Sequence, residues 1–333
     1  MTRLLIVAPN WLGDAVMALP AIADVRRGSP DARIAVVGPP AVASLFRMVR
    51  DVDDVLEKGA VPLFPGEAPK KGYGPFFDAA LLLPNSFRSA FDVARGRIPE
   101  RWGFRSDGRR LLLTHAVPRP PSGTHQVDCY QHLVQALGFP NGVREPRLTV
   151  TPELRAAGAR ALVDGGWDGT APLVALAPGA AFGGAKRWPP EYFADLIGGL
   201  ARDGVRSVLV GSPADEPTVR DILSALGPER SSPLNLVGRT DVPTLAGLLT
   251  CARALVTNDS GAMHLAAAIG VPVTAVFGPT DERLTAPRAT AAQAVLTHPV
   301  WCRPCMLREC PLDHACMRGV AVDAVADATR RML

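Results

Sequence analysis

The chain has 333 residues, nearly half of them apolar, enough for two hydrophobic cores. Its formal net charge of +4 is too small an excess to argue by itself for nucleic acid or for a membrane. Glycine and proline are frequent but scattered, which excludes a low-complexity or disordered chain.

The run Leu4-Leu5-Ile6-Val7-Ala8 predicts a buried strand, and Ala15 to Arg27 predicts a helix. The apolar run stops at Pro9 and Asp14 follows, so it does not read as a signal peptide. No stretch approaches the roughly 18 apolar residues of a spanning helix. A cytoplasmic protein is expected, with peripheral contact to a membrane left open. Between strand and helix stands Asp14, a carboxylate in an otherwise apolar segment. By itself it reads either as a cap on the helix or as a functional group.

Residues 33–38 predict a second strand. Asp51-Val52-Asp53 looks like a metal-binding DxD only superficially and reads as a solvated turn. Residues 59–75, dense in Pro, Gly and Lys, read as a surface insertion or a mobile loop near a ligand. PRLTVTPE, 146–153, reads as a strand leaving the first half, followed by a helix and the loop WDGTAP. This puts a domain boundary between 150 and 170, with domains at 1–160 and 161–333.

The second half starts again with a strand at 172–179, a small-residue loop and the helix PPEYFADLIGGLARDG. Strands follow at 207–212, 254–259 and 272–278, and 279–300 reads as loop. Alternating strands and helices predict α/β domains with parallel sheets covered on both faces. Two such domains would face each other across a cleft at the carboxyl ends of their strands.

Three loops after strands carry candidate chemistry. In PGAAFGGAKRWPPEYF, 178–193, small residues at Gly179 and Ala181 let backbone amides approach an anion, and Lys186 adds a point charge. The spacing matches neither a P-loop nor a GxGxxG fingerprint, which disfavours a nicotinamide dehydrogenase. In TNDSGAMHLAAAIGVP, 257–272, Asn258, Asp259 and Ser260 are all suited to cap a helix, whose first amides make a diphosphate site. His264 falls one turn into that helix, either facing the same anion or packed half-buried. In GSPADEP, 211–217, Glu216 suits a ribose diol, or is an exposed charge at a helix start.

PNWLGDAVMALPAI, PGAAFGGAKRWPPEYFADL, GSPADE and NDSGAMHLAAAIGVPVTAVFGPTD together resemble glycosyltransferase family 9, the heptosyltransferases, over nearly the whole chain and in order. The resemblance implies the GT-B fold, two Rossmann-like domains facing across a cleft. It implies an inverting transfer of heptose from ADP-L-glycero-D-manno-heptose to the lipopolysaccharide inner core (a heptosyl-Kdo2-lipid A type of acceptor). No cofactor or catalytic metal is implied. The donor would lie in the C-terminal domain and the lipid-linked acceptor in the N-terminal one, with no role for nucleic acid.

By the same resemblance, Asp14 matches the family's general base. A carboxylate has an ordinary pKa of about 4, so the role asks for burial, for which Trp11 and the apolar helix are candidates. Lys186 becomes the stabiliser of the diphosphate leaving group. The donor set is Gly179, Ala181, Phe182, Lys186, Arg187, Glu216, Asp259, Ser260, Gly261 and His264. On the acceptor side, residues 86–119 hold eight arginines against three acidic residues. Arginine forks match phosphates and acidic-sugar carboxylates, and the same charge helps docking at the inner membrane's cytoplasmic face. Gly13, Arg88, Arg105 and His125 are the acceptor candidates. Other readings are a family member with another donor or acceptor sugar, and a non-catalytic nucleotide-sugar binding protein.

Cys302, Cys305, Cys310 and Cys316 put four thiols in 15 residues. They suit a structural zinc, with His314 in reserve, although common zinc ribbons separate two CxxC pairs by a longer loop. Reversible disulfides and free thiols stay open. The stretch is expected to staple the C-terminal tail, outside the catalytic logic.

Overall fold

The computed structural model describes residues 1–59, 77–227 and 232–333. The Pro- and Lys-rich insertion expected at 59–75 therefore lies, beyond Gly59, outside the described residues. The chain divides into two compact units, Met1–Pro146 and Arg147–Leu333.

The first unit runs β1 (Arg3–Val7), α1 (Leu12–Met17), α2 (Leu19–Gly28), β2 (Arg33–Gly38), α3 (Pro40–Phe46), β3 (Asp54–Glu57) and β4 (Ala79–Leu82). It continues with α4 (Phe87–Arg95), β5 (Glu100–Phe104), a 3₁₀ turn at Arg109–Leu112, β6 (His115–Val117) and α5 (Gln126–Ala136). The strands form one parallel sheet in the order β3-β2-β1-β4-β5-β6. Leu4, Leu5 and Ile6 are fully buried, as an unalternating apolar strand under helices on both faces requires. The helix expected over Ala15–Arg27 starts earlier, at Leu12, and breaks at Ala18. Pro20 lies in the first turn of α2, where its missing N–H costs no bond, whereas within one continuous helix it would break the ladder. Asp51 and Asp53 serve the fold, since Arg26 donates to Asp51 O at 3.1 Å and Asp53 Oδ2 accepts from Ile34 N at 2.7 Å.

The second unit runs α6 (Pro152–Asp164), β7 (Leu173–Ala177), α7 (Pro190–Arg202), β8 (Arg206–Leu209), α8 (Glu216–Leu226), β9 (Leu234–Asn235) and α9 (Val242–Leu249). Then come β10 (Ala254–Asn258), α10 (Gly261–Ala268), β11 (Val273–Phe277), α11 (Glu282–Thr285), β12 (Gln293–Thr297), α12 (Ala315–Arg318) and α13 (Val322–Arg330). The sheet order is β12-β11-β10-β7-β8-β9, again all parallel, which repeats the order of the first unit.

Two expectations fail here. The stretch 279–300 is not plain loop, for it holds α11 and the edge strand β12. Residues 146–151 form no strand; Leu148 N instead donates to Ala268 O at 2.9 Å. The boundary expected at 160/161 falls inside α6, which packs on α9 of the second unit. That contact is glycine-dependent. A Cβ on Gly158 would stand 2.0 Å from Leu248 N, and one on Gly247 would stand 1.9 Å from Leu154 O. Gly158→Val should therefore destabilise the chain by about 3 kcal/mol, read as a lowered urea midpoint. An unchanged midpoint would show that the two helices separate freely.

Candidate active site

In open parallel sheets, ligands collect beyond the carboxyl ends of the strands flanking the reversal of strand order. In the second unit these are β7 and β10. Asn258, buried at the end of β10, ties the loop after β7 at both its ends. Its Nδ2 donates to Pro178 O at 2.7 Å, and its Oδ1 accepts from Trp188 N at 3.0 Å. Trp188 is fully buried and donates Nε1 to Val320 O at 2.9 Å. The segment between these anchors carries Lys186.

Lys186 Nζ donates to Asp259 Oδ2 at 2.6 Å, and Thr280 Oγ1 donates to the same oxygen at 2.7 Å. The Lys186 side chain is 12% exposed and that of Asp259 7%, so water screens the pair little. Asp259 thus holds the lysine and does not cap α10. Ser260 is the N-cap residue, yet its hydroxyl meets Thr257 Oγ1 at 2.9 Å and makes no capping bond. The first-turn amides of α10, starting at Gly261, are consequently not covered by the capping side chain. His264 is buried one turn into α10. Phe182 stacks its ring 4.7 Å from Lys186 Nζ.

Gly179 permits a close approach of two loops, because a Cβ there would stand 2.1 Å from Asp215 Oδ1. Asp215 in turn accepts from Ser212 N at 2.9 Å and Ser212 Oγ at 2.8 Å, which shapes the turn before α8. Glu216 opens α8, exposed, with Oε1 beside Gly238, whose φ of 72° makes the facing turn. Ala181 is exposed at the loop's crest, and the half-buried Arg187 keeps a buried Nε without a partner among the described residues. Of the predicted set, Phe182, Lys186, Asp259, Ser260 and Gly261 come together at one place, and Glu216 borders it from the next loop.

In the first unit the corresponding strands are β1 and β4. Gly13 and Asp14 lie in the first turn of α1, whose N-cap is Trp11, so Asp14 is not the cap. Trp11 is 46% exposed, and Asp14 itself is half-buried. Asp14 lies near Tyr130 on α5, whose phenol is pushed well above its usual range by burial and by the charge of Asp14. His125 is the buried N-cap of α5, its Nδ1 accepting from Val127 N at 3.2 Å.

A pocket at the ends of β1 and β4 is lined by Asn10, Lys58, Ser86, Arg88 and Asp92. Arg88 is 79% exposed and donates to Asp92 Oδ1 at 2.7 Å. Sequence reading missed Asn10 and Lys58, which lie far apart in the chain and acquire meaning only through the sheet order. Arg105 is exposed after β5. Arg109 leaves the expected basic surface altogether. It is fully buried, donates to Phe104 O, Pro84 O and Ser89 Oγ, and burial pushes its guanidinium pKa down to about 10. It pins the 3₁₀ turn against α4.

The four clustered cysteines line one apolar cavity with Ala185 and Trp301. Burial, then the neighbouring thiols, push the Cys316 thiol up. Among the described residues no group of three or more His, Cys, Asp or Glu is placed to hold a metal ion, so this arrangement does not meet the expectation of a four-thiolate zinc site.

Known proteins with this arrangement point one way. The family model for glycosyltransferase family 9 (heptosyltransferase) matches residues 74–316. The lipopolysaccharide heptosyltransferase 2 of Salmonella typhimurium is 33% identical over 298 residues, covering 86% of this chain and 85% of its own. The lipooligosaccharide heptosyltransferase 2 of Haemophilus influenzae is 32% identical over 303 residues, with 86% of each chain covered. The solved structure of Escherichia coli ADP-heptose lipopolysaccharide heptosyltransferase II superposes with a TM-score of 0.83 at 28% identity, over 99% of this chain and 98% of that one. The two Rossmann-like sheets, the loops after β7 and β10 and the match along most of the chain together establish that this protein belongs to glycosyltransferase family 9.

Proposed function

We propose that the protein transfers heptose from ADP-L-glycero-D-manno-heptose to a heptosyl-Kdo2-lipid A type of acceptor in the lipopolysaccharide inner core. The observation that carries this is the Lys186–Asp259 pair, held beside the uncovered amides of α10 at the strand-order reversal of the second sheet. A cation and backbone donors at one point suit a diphosphate whose charge grows as its bond to the sugar breaks. In this reading an acceptor hydroxyl attacks C1 of the heptose. The C1–O bond to the diphosphate breaks, ADP leaves, and the hydroxyl proton passes to Asp14. Lys186 stabilises the departing diphosphate, Asp259 positions Lys186, and Glu216 receives the ribose hydroxyls. The pocket holding Lys58 and Arg88 takes an anionic group of the acceptor. The test is ADP release from ADP-heptose with a deacylated inner-core acceptor. Release that depends on both substrates supports the reading. Donor binding without release on any inner-core acceptor overturns it in favour of another sugar.

The acceptor's lipid anchor brings the protein to the cytoplasmic face of the inner membrane in this proposal. Among the described residues no helix is long and apolar enough to cross it. Phe87 and Phe91 stack on the outer face of α4, 50% and 43% exposed, and Leu111 in the adjoining 3₁₀ turn is 94% exposed. Arg88 and Arg110 flank them, exposed. Apolar side chains ringed by arginine fit an anionic lipid surface. Replacing Phe87, Phe91 and Leu111 together by Ser should lower cosedimentation with phosphatidylglycerol-rich vesicles about tenfold. Equal sedimentation of variant and parent would remove this surface from the proposal.

A further inference from the structure

The cysteine-rich stretch does more than staple the tail. Residues 303–309 span the two loops that form the candidate diphosphate site. At one end, Arg303 Nε donates to Gly278 O at 2.7 Å and Met306 N to Pro279 O at 2.9 Å, next to Thr280, which holds Asp259. At the other end, Ala185 N donates to Arg308 O at 2.9 Å and Gly184 N to Glu309 Oε1 at 3.0 Å. A Cβ on Gly183 would stand 2.2 Å from Arg308 O, so the two backbones approach as only glycine permits. The Arg308 guanidinium lies over the ring of Phe182, 5.4 Å from its centroid, and the same ring carries Lys186. Phe182 thus contacts both cations, and of the two Arg308 is the exposed one, whereas Lys186 is already paired with Asp259.

We propose that Arg308 is a second cation for the diphosphate of the nucleotide sugar, and that Glu309 is a positioning residue that fixes the Gly183–Lys186 turn. The inference rests on the donor site proposed above. It also explains why the thiol-lined cavity backs onto Ala185. The cysteine loop forms one wall of the donor site, so its packing sets where Lys186 stands. Arg308 is exposed and meets the anion through a planar fork, which a lysine reproduces only in charge. Glu309 acts through one carboxylate oxygen, which a glutamine side chain also supplies.

The experiment is calorimetric binding of ADP and of adenosine to the full-length chain. Arg308→Ala should weaken ADP about tenfold and leave adenosine unchanged, because adenosine lacks the diphosphate. Arg308→Lys should recover part of the loss. Glu309→Ala should weaken ADP severalfold, and Glu309→Gln should restore it. In turnover, Arg308→Ala should raise the donor KM far more than it lowers kcat. ADP affinity equal to the parent's in Arg308→Ala overturns the inference while leaving the donor site standing. A parent chain that binds no ADP overturns both together. Equal loss of ADP and adenosine would show a merely structural role and also overturn it.

Discussion

Lys186→Ala should lower kcat for heptose transfer by about 10²–10³, the usual cost of removing one preorganised group that meets developing charge. The effect is large because of where the ammonium sits. Its side chain is only 12% exposed, so its field acts through protein and not through bulk water. Its place is set before any donor arrives, by Asp259 at 2.6 Å and by Thr280, which donates to the same Asp259 oxygen. Little reorganisation remains to be made when the diphosphate departs. The loss should appear mainly in kcat, because the α10 amides and Arg308 still bind the ground-state diphosphate. Lys186→Arg should recover little, since a longer planar fork does not reproduce the point charge that Lys186 places between Phe182 and Asp259. Asp259→Asn supplies the control. It removes the charge of the lysine's partner but not the lysine, so kcat should fall less than in Lys186→Ala. Steady-state kinetics at saturating acceptor separates these cases. A Lys186→Ala enzyme with parental kcat would remove the lysine from the chemistry.

The parts of this fold that sequence made legible are those in which burial dictates residue type. Leu173–Ala177 is apolar throughout, and Ala254–Asn258 is apolar up to its polar end, because both faces are covered, and their loops are legible because small residues and prolines punctuate them. Edge elements were not legible. His115–Val117 has three residues, Leu234–Asn235 has two, and Gln293–Thr297 is only half-buried, so none carries the apolar run that marks an inner strand. Arg109 looked like its seven arginine neighbours, since burial by carbonyl partners depends on Pro84 and Phe104 arriving from other elements. His125 read as an acceptor candidate, and its work as the cap of α5 was not legible. The contacts of Arg308 and Glu309 with Gly183–Ala185 join segments 125 positions apart, at a place whose spacing spoke only of its thiols, as a zinc site, disulfides or a staple for the tail. Tertiary closure, not local pattern, created each of these features.

Asp14→Asn should lower kcat by about 10²–10⁴, the range of one general base, while ADP affinity stays at the parental value. The variant isolates proton acceptance. Asn has the size of Asp and keeps one acceptor oxygen, but it does not take up the hydroxyl proton at neutral pH. Unfolding is a poor explanation for such a loss. Asp14 lies in the first turn of α1, where its charge favours the helix by only about 0.3–1 kcal/mol. It does not fill the N-cap position, which belongs to Trp11, so no capping bond is broken. ADP binding should not move, because the proposed donor residues all belong to the second unit, which has its own sheet and core. Loss of turnover with intact ADP affinity and an intact thermal midpoint would assign the base. An Asp14→Asn enzyme that turns over at the parental rate would leave the acceptor hydroxyl to lose its proton elsewhere, and the half-buried carboxylate near Tyr130 would then be a feature of the α1–α5 packing.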